Sequence, residues 1–148
     1  MKKQTQYVVF TIDRHRFALR LSHVRRIVRM VELTPVPEAP AFIAGMINVQ
    51  GELLGVVNMR KRLQLREREP GINDQLIIAT ARGRTMALIA DAVVGVIEES
   101  EEGMTAAGSV VPGAEVVDGM LKTEEGIVLL HDPGTLGLDW QLGAEVVE

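Results

Sequence analysis

Cysteine is absent from this 148-residue chain. That removes disulfides and thiolate metal sites together and leaves no sign of an oxidising compartment. Aromatic residues make up only 3%, too few for the stacking platforms of a single-strand nucleic-acid binder, although Arg14, Arg16, Arg20, Arg25, Arg26 and Arg29 cluster in the first thirty residues. No apolar run reaches the ~18 residues of a membrane-spanning helix, and YVVFTI at 7–12 is far too short. The N-terminal MKKQTQ carries two lysines, but no small-residue cleavage site follows its apolar run. No signal peptide and no membrane insertion are expected, and a soluble cytoplasmic protein is.

Catalytic patterns are missing as well. His15, His23 and His131 are scattered, and none pairs with another at helical spacing. His131 precedes Asp132, but on a strand adjacent side chains point to opposite faces and cannot address one atom. Ser22, Ser100 and Ser109 have no G-x-S-x-G context. There is no phosphate-cradling G-x-x-x-x-G-K-[ST] and no dinucleotide fingerprint. Glu98, Glu99, Glu101 and Glu102 form an acidic run without the alternating ligands and glycine of a calcium loop. No catalytic residue, metal ligand or cofactor is expected.

What the chain does contain is a core and an alternating pattern. It is 47% hydrophobic, enough for one domain or two small packed halves. Its net charge of −4 divides unevenly, with +6 on residues 1–74 and −10 on residues 75–148, so different faces can meet different partners. YVVFTI and RFALRL alternate around DRHR as a half-buried hairpin. Ser22 then reads as the N-cap of a short helical or turn segment, HVRRIVRM, with Val24, Ile27 and Val28 on one side. Pro35, Pro37 and Pro40 stop regular structure. AFIAG reads as one helical turn, and RKRLQLREREPG as an exposed connector.

The pattern then restarts. Residues 76–97 lie without a gap on residues 7–28, at an offset of 69, with Arg82-Gly83 as the turn and Asp91 in the place of Ser22. Further on, GMLKTEEGIVLLHD at 119–132 lies on GMINVQGELLGVVN at 45–58, at an offset of 74. Two consecutive alignments in the same order imply two related β-rich halves, of approximately 7–70 and 71–140, within a single domain. Short, evenly spaced strands favour small barrels, which remove exposed edges by closing.

The segment 45–58 is the chain's most distinctive. Gly45 and Gly51, like Gly119 later, suit turn geometry, and Asn48 can hydrogen-bond its own hairpin. The later copy keeps the glycine-methionine entry and the apolar strand but changes every polar residue from Asn48 to Glu52. The shared positions therefore build a hairpin, and the unshared polar cluster is the better candidate for recognition.

With these features in view, the sequence resembles the CheW family of chemotaxis adaptors, together with the CheW-like regulatory domain of the histidine kinase CheA. The resemblance runs from about Gln6 to about Leu138. FALRLSHVRRIV, VPEAPAFIAGMINVQGELLGVVNMRKRL and MALIADAVVGVIE carry it. The motif approximating P-x-x-I-x-G-x-x-N-L-R-G is kept at Pro40, Ile43, Gly45, Asn48 and Gly51, with Met59 and Arg60 beyond it and Asp91 and Val93 as a second mark.

That resemblance implies two intertwined five-stranded SH3-like barrels with short helices, related by a pseudo-two-fold, and a hydrophobic groove between them. It implies a non-enzymatic adaptor coupling a methyl-accepting chemoreceptor's cytoplasmic tip to a CheA-type kinase regulatory domain, with self-association in arrays as a further property. Carried over by position, Val24, Arg26, Ile27, Leu33, Gln50 and Val93 would contribute to partner surfaces, while core packing remains the other reading of Val24, Ile27 and Val93. Three residues depart from the pattern. Arg26 stands for a glutamate, Gln50 for an arginine and Asn58 for an aspartate. A small-barrel nucleic-acid binder and a structural oligomerisation module are the competing classes.

Overall fold

The computed structural model describes residues 4–100 and 118–136. Ten strands and two short helices follow in order: β1 (Gln4–Ile12), β2 (His15–Arg20), β3 (Val24–Arg29), β4 (Ile43–Val49), β5 (Glu52–Val57), α1 (Met59–Arg62), β6 (Gln75–Ala81), β7 (Arg84–Ala90), β8 (Ala92–Ser100), β9 (Gly119–Thr123), β10 (Gly126–Leu130) and α2 (Pro133–Leu136). They form two five-stranded sheets, ordered β8-β1-β2-β10-β9 and β3-β6-β7-β5-β4. The repeat lays β1–β3 on β6–β8, and β4, β5 and α1 on β9, β10 and α2. Exchanging these equivalents turns one sheet order into the other. Each sheet therefore takes one hairpin from one repeat and three strands from the other, so the repeats are threaded through each other.

The exchange begins at a single 3-10 turn, Leu21–His23, after which β3 leaves β2 and pairs antiparallel with β6. The helical or turn reading of HVRRIVRM is thus replaced by a strand. Arg20, not Ser22, occupies the cap position, and no side chain caps the turn. Val24, Ile27 and Val28 are β-branched, and an antiparallel partner offers them more than an isolated turn of helix does. AFIAG likewise makes only a turn at Ala41 and Phe42 before β4 begins.

Alternating side chains build three apolar clusters. Tyr7, Val9, Ala18, Leu121, Val128 and Leu130 fill the first sheet's interior. Their repeat equivalents Leu76, Ile78, Ala87, Ile47, Leu54 and Val56 fill the second. Between them lies a shared cluster in which Phe10, Phe17 and Leu19 meet Ile77, Ala79, Met86 and Leu88. Bulk is not shared equally there. Phe10 and Phe17 sit 5.7 Å apart, centroid to centroid, where the other repeat has Ala79 and Met86. One large side chain facing one small one is how such layers interdigitate without voids. Each buried phenyl ring contributes about 1.5–3 kcal/mol.

The edge strands β3 and β8 carry matching bulges. The β3–β6 register slips between Val24 and Arg26, leaving Arg25 unpaired. The β1–β8 register slips between Val9 and Phe10, leaving Val94 unpaired. An extra residue at the same repeat position bends both edges in the same way.

Candidate partner-binding site

The β4–β5 hairpin turns through Gln50 and Gly51, at φ 51° and 88°, the two positive values that a two-residue turn matched to strand twist requires. The Gly51 N–H donates to Asn48 Oδ1 at 2.8 Å, so Asn48 locks its own turn. That leaves Gln50 exposed at the tip. Gly45 has a different constraint. A Cβ there would lie 2.8 Å from the Thr34 carbonyl oxygen, because Thr34 pairs with Met46 in both directions at 3.0 and 2.8 Å. Gly119 is buried at the start of β9, opposite Leu130.

The remaining positions divide by burial. Val24 and Val93, repeat equivalents, both pack on the central cluster. Arg26 is exposed, and Ile27 beside it is 38% exposed. Leu33 packs against the second sheet's cluster and lines a shallow groove of ≈890 Å³ with Met30, Val31, Ile43 and Ile72. Arg26 and Ile27 thus sit exposed on the edge strand β3 with their side chains on opposite faces, Gln50 at the tip of the β4–β5 turn, Val24 and Val93 against the central cluster, and Leu33 toward the other end of β4.

A contact absent from the sequence reading ties β3 to the hairpin. Arg25 Nη1 donates to Glu52 Oε1 at 3.2 Å and to Thr85 Oγ1 at 3.3 Å. The resemblance places a glutamate at 26 and an arginine at 50. This chain instead carries the arginine on β3 and the glutamate on the hairpin, one and two residues away.

The larger omission is the segment read as an exposed connector. Asn58 caps α1, its side chain accepting from the Lys61 N–H, and Arg60 points inward, only 5% exposed. Its guanidinium holds Asp13 through two bonds of 2.9 Å and Asp91 through bonds of 3.1 and 2.8 Å. It also donates to the Arg66 carbonyl at 2.9 Å. Arg68 reaches Asp91 at 2.7 Å and Asp74 at 2.9 Å. The Asp13 N–H donates to Asp91 Oδ2 at 2.8 Å, so Asp91 anchors the β1–β2 turn and starts no helix. One arginine joins a turn of the first sheet, the β7–β8 junction and α1. A charge this buried persists only with such partners. The Arg60 hydrogen bond holds the Asp13 carboxyl below its ordinary range. The Asp13 hydrogen bond raises Arg60, and the Asp74 hydrogen bond raises Arg68. The alternating hydrophobic pattern gives no signal for this network, because its members lie in turns and a short helix.

His131 follows β10 rather than lying on it, and its buried ring packs on Phe17 at 5.1 Å. Asp132 caps α2, its Oδ1 accepting from the Gly134 N–H at 2.8 Å. The two residues therefore have separate structural tasks. Glu101, Glu102 and Ser109 lie outside the described residues. Among the described residues no cluster of His, Asp or Glu is arranged to hold a metal, and no helix is long and apolar enough to cross a membrane.

The family model for the CheW-like domain matches residues 6–137. The chain is 26% identical over 136 residues to chemotaxis protein CheW of Treponema pallidum, covering 88% of this chain and 80% of that one. It is 30% identical over 96 residues to chemotaxis protein CheW of Rhizobium meliloti, covering 65% of this chain and 62% of the relative, less than two thirds of its length. The crystal structure of the scaffolding protein TtCheW from Thermoanaerobacter tengcongensis superposes with a TM-score of 0.84 at 28% identity, covering 91% of this chain and 93% of that one. The threaded sheets, the motif glycines that shape the β4–β5 hairpin and the match along nearly the whole length agree: this chain belongs to the CheW-like domain family.

Proposed function

We propose that this chain is a non-enzymatic, cytoplasmic adaptor of chemotaxis-type signalling, coupling a methyl-accepting chemoreceptor's cytoplasmic tip to the regulatory domain of a CheA-type histidine kinase. The observation that carries this reading is the CheW-like match along residues 6–137. The names of its relatives support it, being chemotaxis proteins and a scaffolding protein. Arg26, Ile27 and Gln50 supply the exposed contact surface. Val24 and Val93 shape it from the central cluster, and Leu33 contributes from its groove.

Arg26 and Gln50 give this adaptor an altered partner set. A reversed charge facing an unchanged partner costs several kcal/mol and acts as a rejection device. Co-elution with a CheA-type regulatory domain and with a receptor-tip fragment tests the reading. Complexes with both are expected, and failure to bind either at about 50 μM would leave only the fold. Arg26→Glu combined with Gln50→Arg is expected to tighten binding to a conventional regulatory domain by about tenfold. Unchanged affinity would remove the altered-partner part of the proposal.

A further inference from the structure

The chain between α1 and β6 is fastened firmly at both ends and differently in the middle. At its start Leu63 and Leu65 pack against the central cluster. At its end the buried Asp74 accepts from the Gly71 N–H at 2.8 Å and donates its own N–H to the Gly71 carbonyl at 3.0 Å. Residues 66–70 between them read Arg-Glu-Arg-Glu-Pro, so no apolar side chain before the proline holds them down. Among the described residues no backbone-to-backbone hydrogen bond reaches this stretch. Side chains hold it instead. Arg60 donates to the Arg66 carbonyl at 2.9 Å, and Arg68 bonds Asp74 at 2.9 and 3.3 Å and Asp91 at 2.7 Å. The pairs of Lys61 with Glu67 and of Arg66 with Asp13 are longer, at 3.8 and 3.6 Å, and each has an exposed member that lets water weaken it.

We propose that residues 66–70 are a strap latched by Arg68, which opens as one unit between Gln64 and Gly71 while both sheets stay folded. The charges are divided so that this can happen. Arg60 cannot leave without stranding Asp13 and Asp91, whereas Arg68 can. Asp91 then keeps Arg60 and the Asp13 N–H, and Asp74 keeps the Gly71 N–H. The Arg68 side chain is already 37% exposed, so its charge passes to water without a desolvated intermediate. The pivots are Gln64, in the left-handed region at φ 58°, and Gly71. Glu67 to Ile72 form one wall of the groove that holds Leu33. Opening turns that groove into a shelf, so the strap sets how deeply a segment can sit there. The latch is electrostatic and partly exposed, and salt weakens it. It is a property of the fold and is read without any partner.

The test is backbone amide NMR relaxation dispersion on the full, isotope-labelled chain, which detects a minor state exchanging in microseconds to milliseconds. The amides of 66–69 and 71 are expected to share one exchange process that the strands of both sheets lack. Arg68→Gln is expected to raise the open population about tenfold, because it removes a charge-assisted fork, and to lower Tm by only about 3 °C. Arg68→Lys keeps the charge without the fork and is expected to fall between the two. Raising NaCl from about 0.05 to 0.5 M is expected to raise the open population of the unsubstituted chain about threefold, a measurement that needs no variant to fold. Flat dispersion across 66–71 in both the unsubstituted and the Arg68→Gln chains would overturn the proposal. So would strap exchange shared with β6 or β8, or an open population that Arg68→Gln and salt leave unchanged.

Discussion

The regions around α1 and α2 are built on the same backbone with opposite chemistry. Each helix follows a hairpin and is capped from the same repeat position, by Asn58 in one case and Asp132 in the other. At α1 the second helical residue is Arg60, clamped between Asp13 and Asp91. At α2 the equivalent residue is Gly134, and the residue equivalent to Asp13 is Arg82, whose side chain lies against that glycine. The residue equivalent to Asp91 is Ser22. One region is tied by a buried charge network, and the other by helix capping and by Arg62 of α1, which donates to the Leu136 and Thr135 carbonyls at 2.7 and 3.2 Å. A duplicated fold needs both backbones, but one electrostatic clamp is enough to join the two sheets.

The largest expected effect comes from cutting that clamp. Arg60→Met leaves Asp13 and Asp91 without their shared partner. Breaking a fully buried pair costs about 3–5 kcal/mol. Both carboxylates are a quarter exposed, so a loss of about 2–3 kcal/mol is expected in urea unfolding. A loss below about 1 kcal/mol would mean that the two regions are held alike.

Next comes Gly45→Ala, at about 2 kcal/mol, because the new methyl meets the Thr34 backbone. Gly126→Ala meets nothing within 4 Å and strains only its φ of +116°, so about 1 kcal/mol is expected in the same measurement. Equal losses would remove the close approach as the reason for Gly45.

The two hairpin turns give a finer contrast. Asn48 locks one turn, and Thr123 locks the other by donating to the Gly126 carbonyl at 2.8 Å and accepting from the Glu125 N–H at 3.2 Å. Asn48→Ala and Thr123→Ala should each lower stability by about 1 kcal/mol, read as shifts in Tm. If Asn48→Ala proved neutral in stability but impaired partner binding, Asn48 would move from turn to contact surface.

The subtlest contrast is in acid. The folded-state pKa of Asp13 is depressed by the Arg60 hydrogen bond, so its stabilisation is present above the ordinary value of 3.8 and is lost as pH falls through the depressed one. Burial raises Asp118, beside α2. Its contribution has the opposite sign, present at low pH and lost as pH rises through the raised value. Asp13→Asn should therefore flatten the loss of stability below about pH 4, and an unchanged pH profile would show that Asp13 is not the group that titrates.

Much of this fold was legible in the residues. Alternation located the β1–β2 and β6–β7 hairpins, and the offset copies paired β4–β5 with β9–β10. The reading broke where context overrode local pattern. HVRRIVRM has β-branched residues at a spacing that also suits a helix face, and only the available edge of β6 made it a strand. Within the polar cluster at 48–52, Asn48 serves its own turn, as the sequence reading allowed. Arg60 was visible as a motif member and not as a buried charge, because RKR reads as solvated wherever its partners are distant in the chain.

The sequence by itself determined most of the elements, the duplication and the family, because hydrophobic period and turn chemistry are local properties that each repeat carries in full. Only the tertiary structure decided which strands share a sheet and which charges meet. Pairing β3 with β6 rather than with its own hairpin joins segments some fifty residues apart, and the Asp13, Arg60 and Asp91 network spans 78 positions. Local pattern is indifferent to such choices. They are set by which edge is free and by the high cost of burying a charge without its partner.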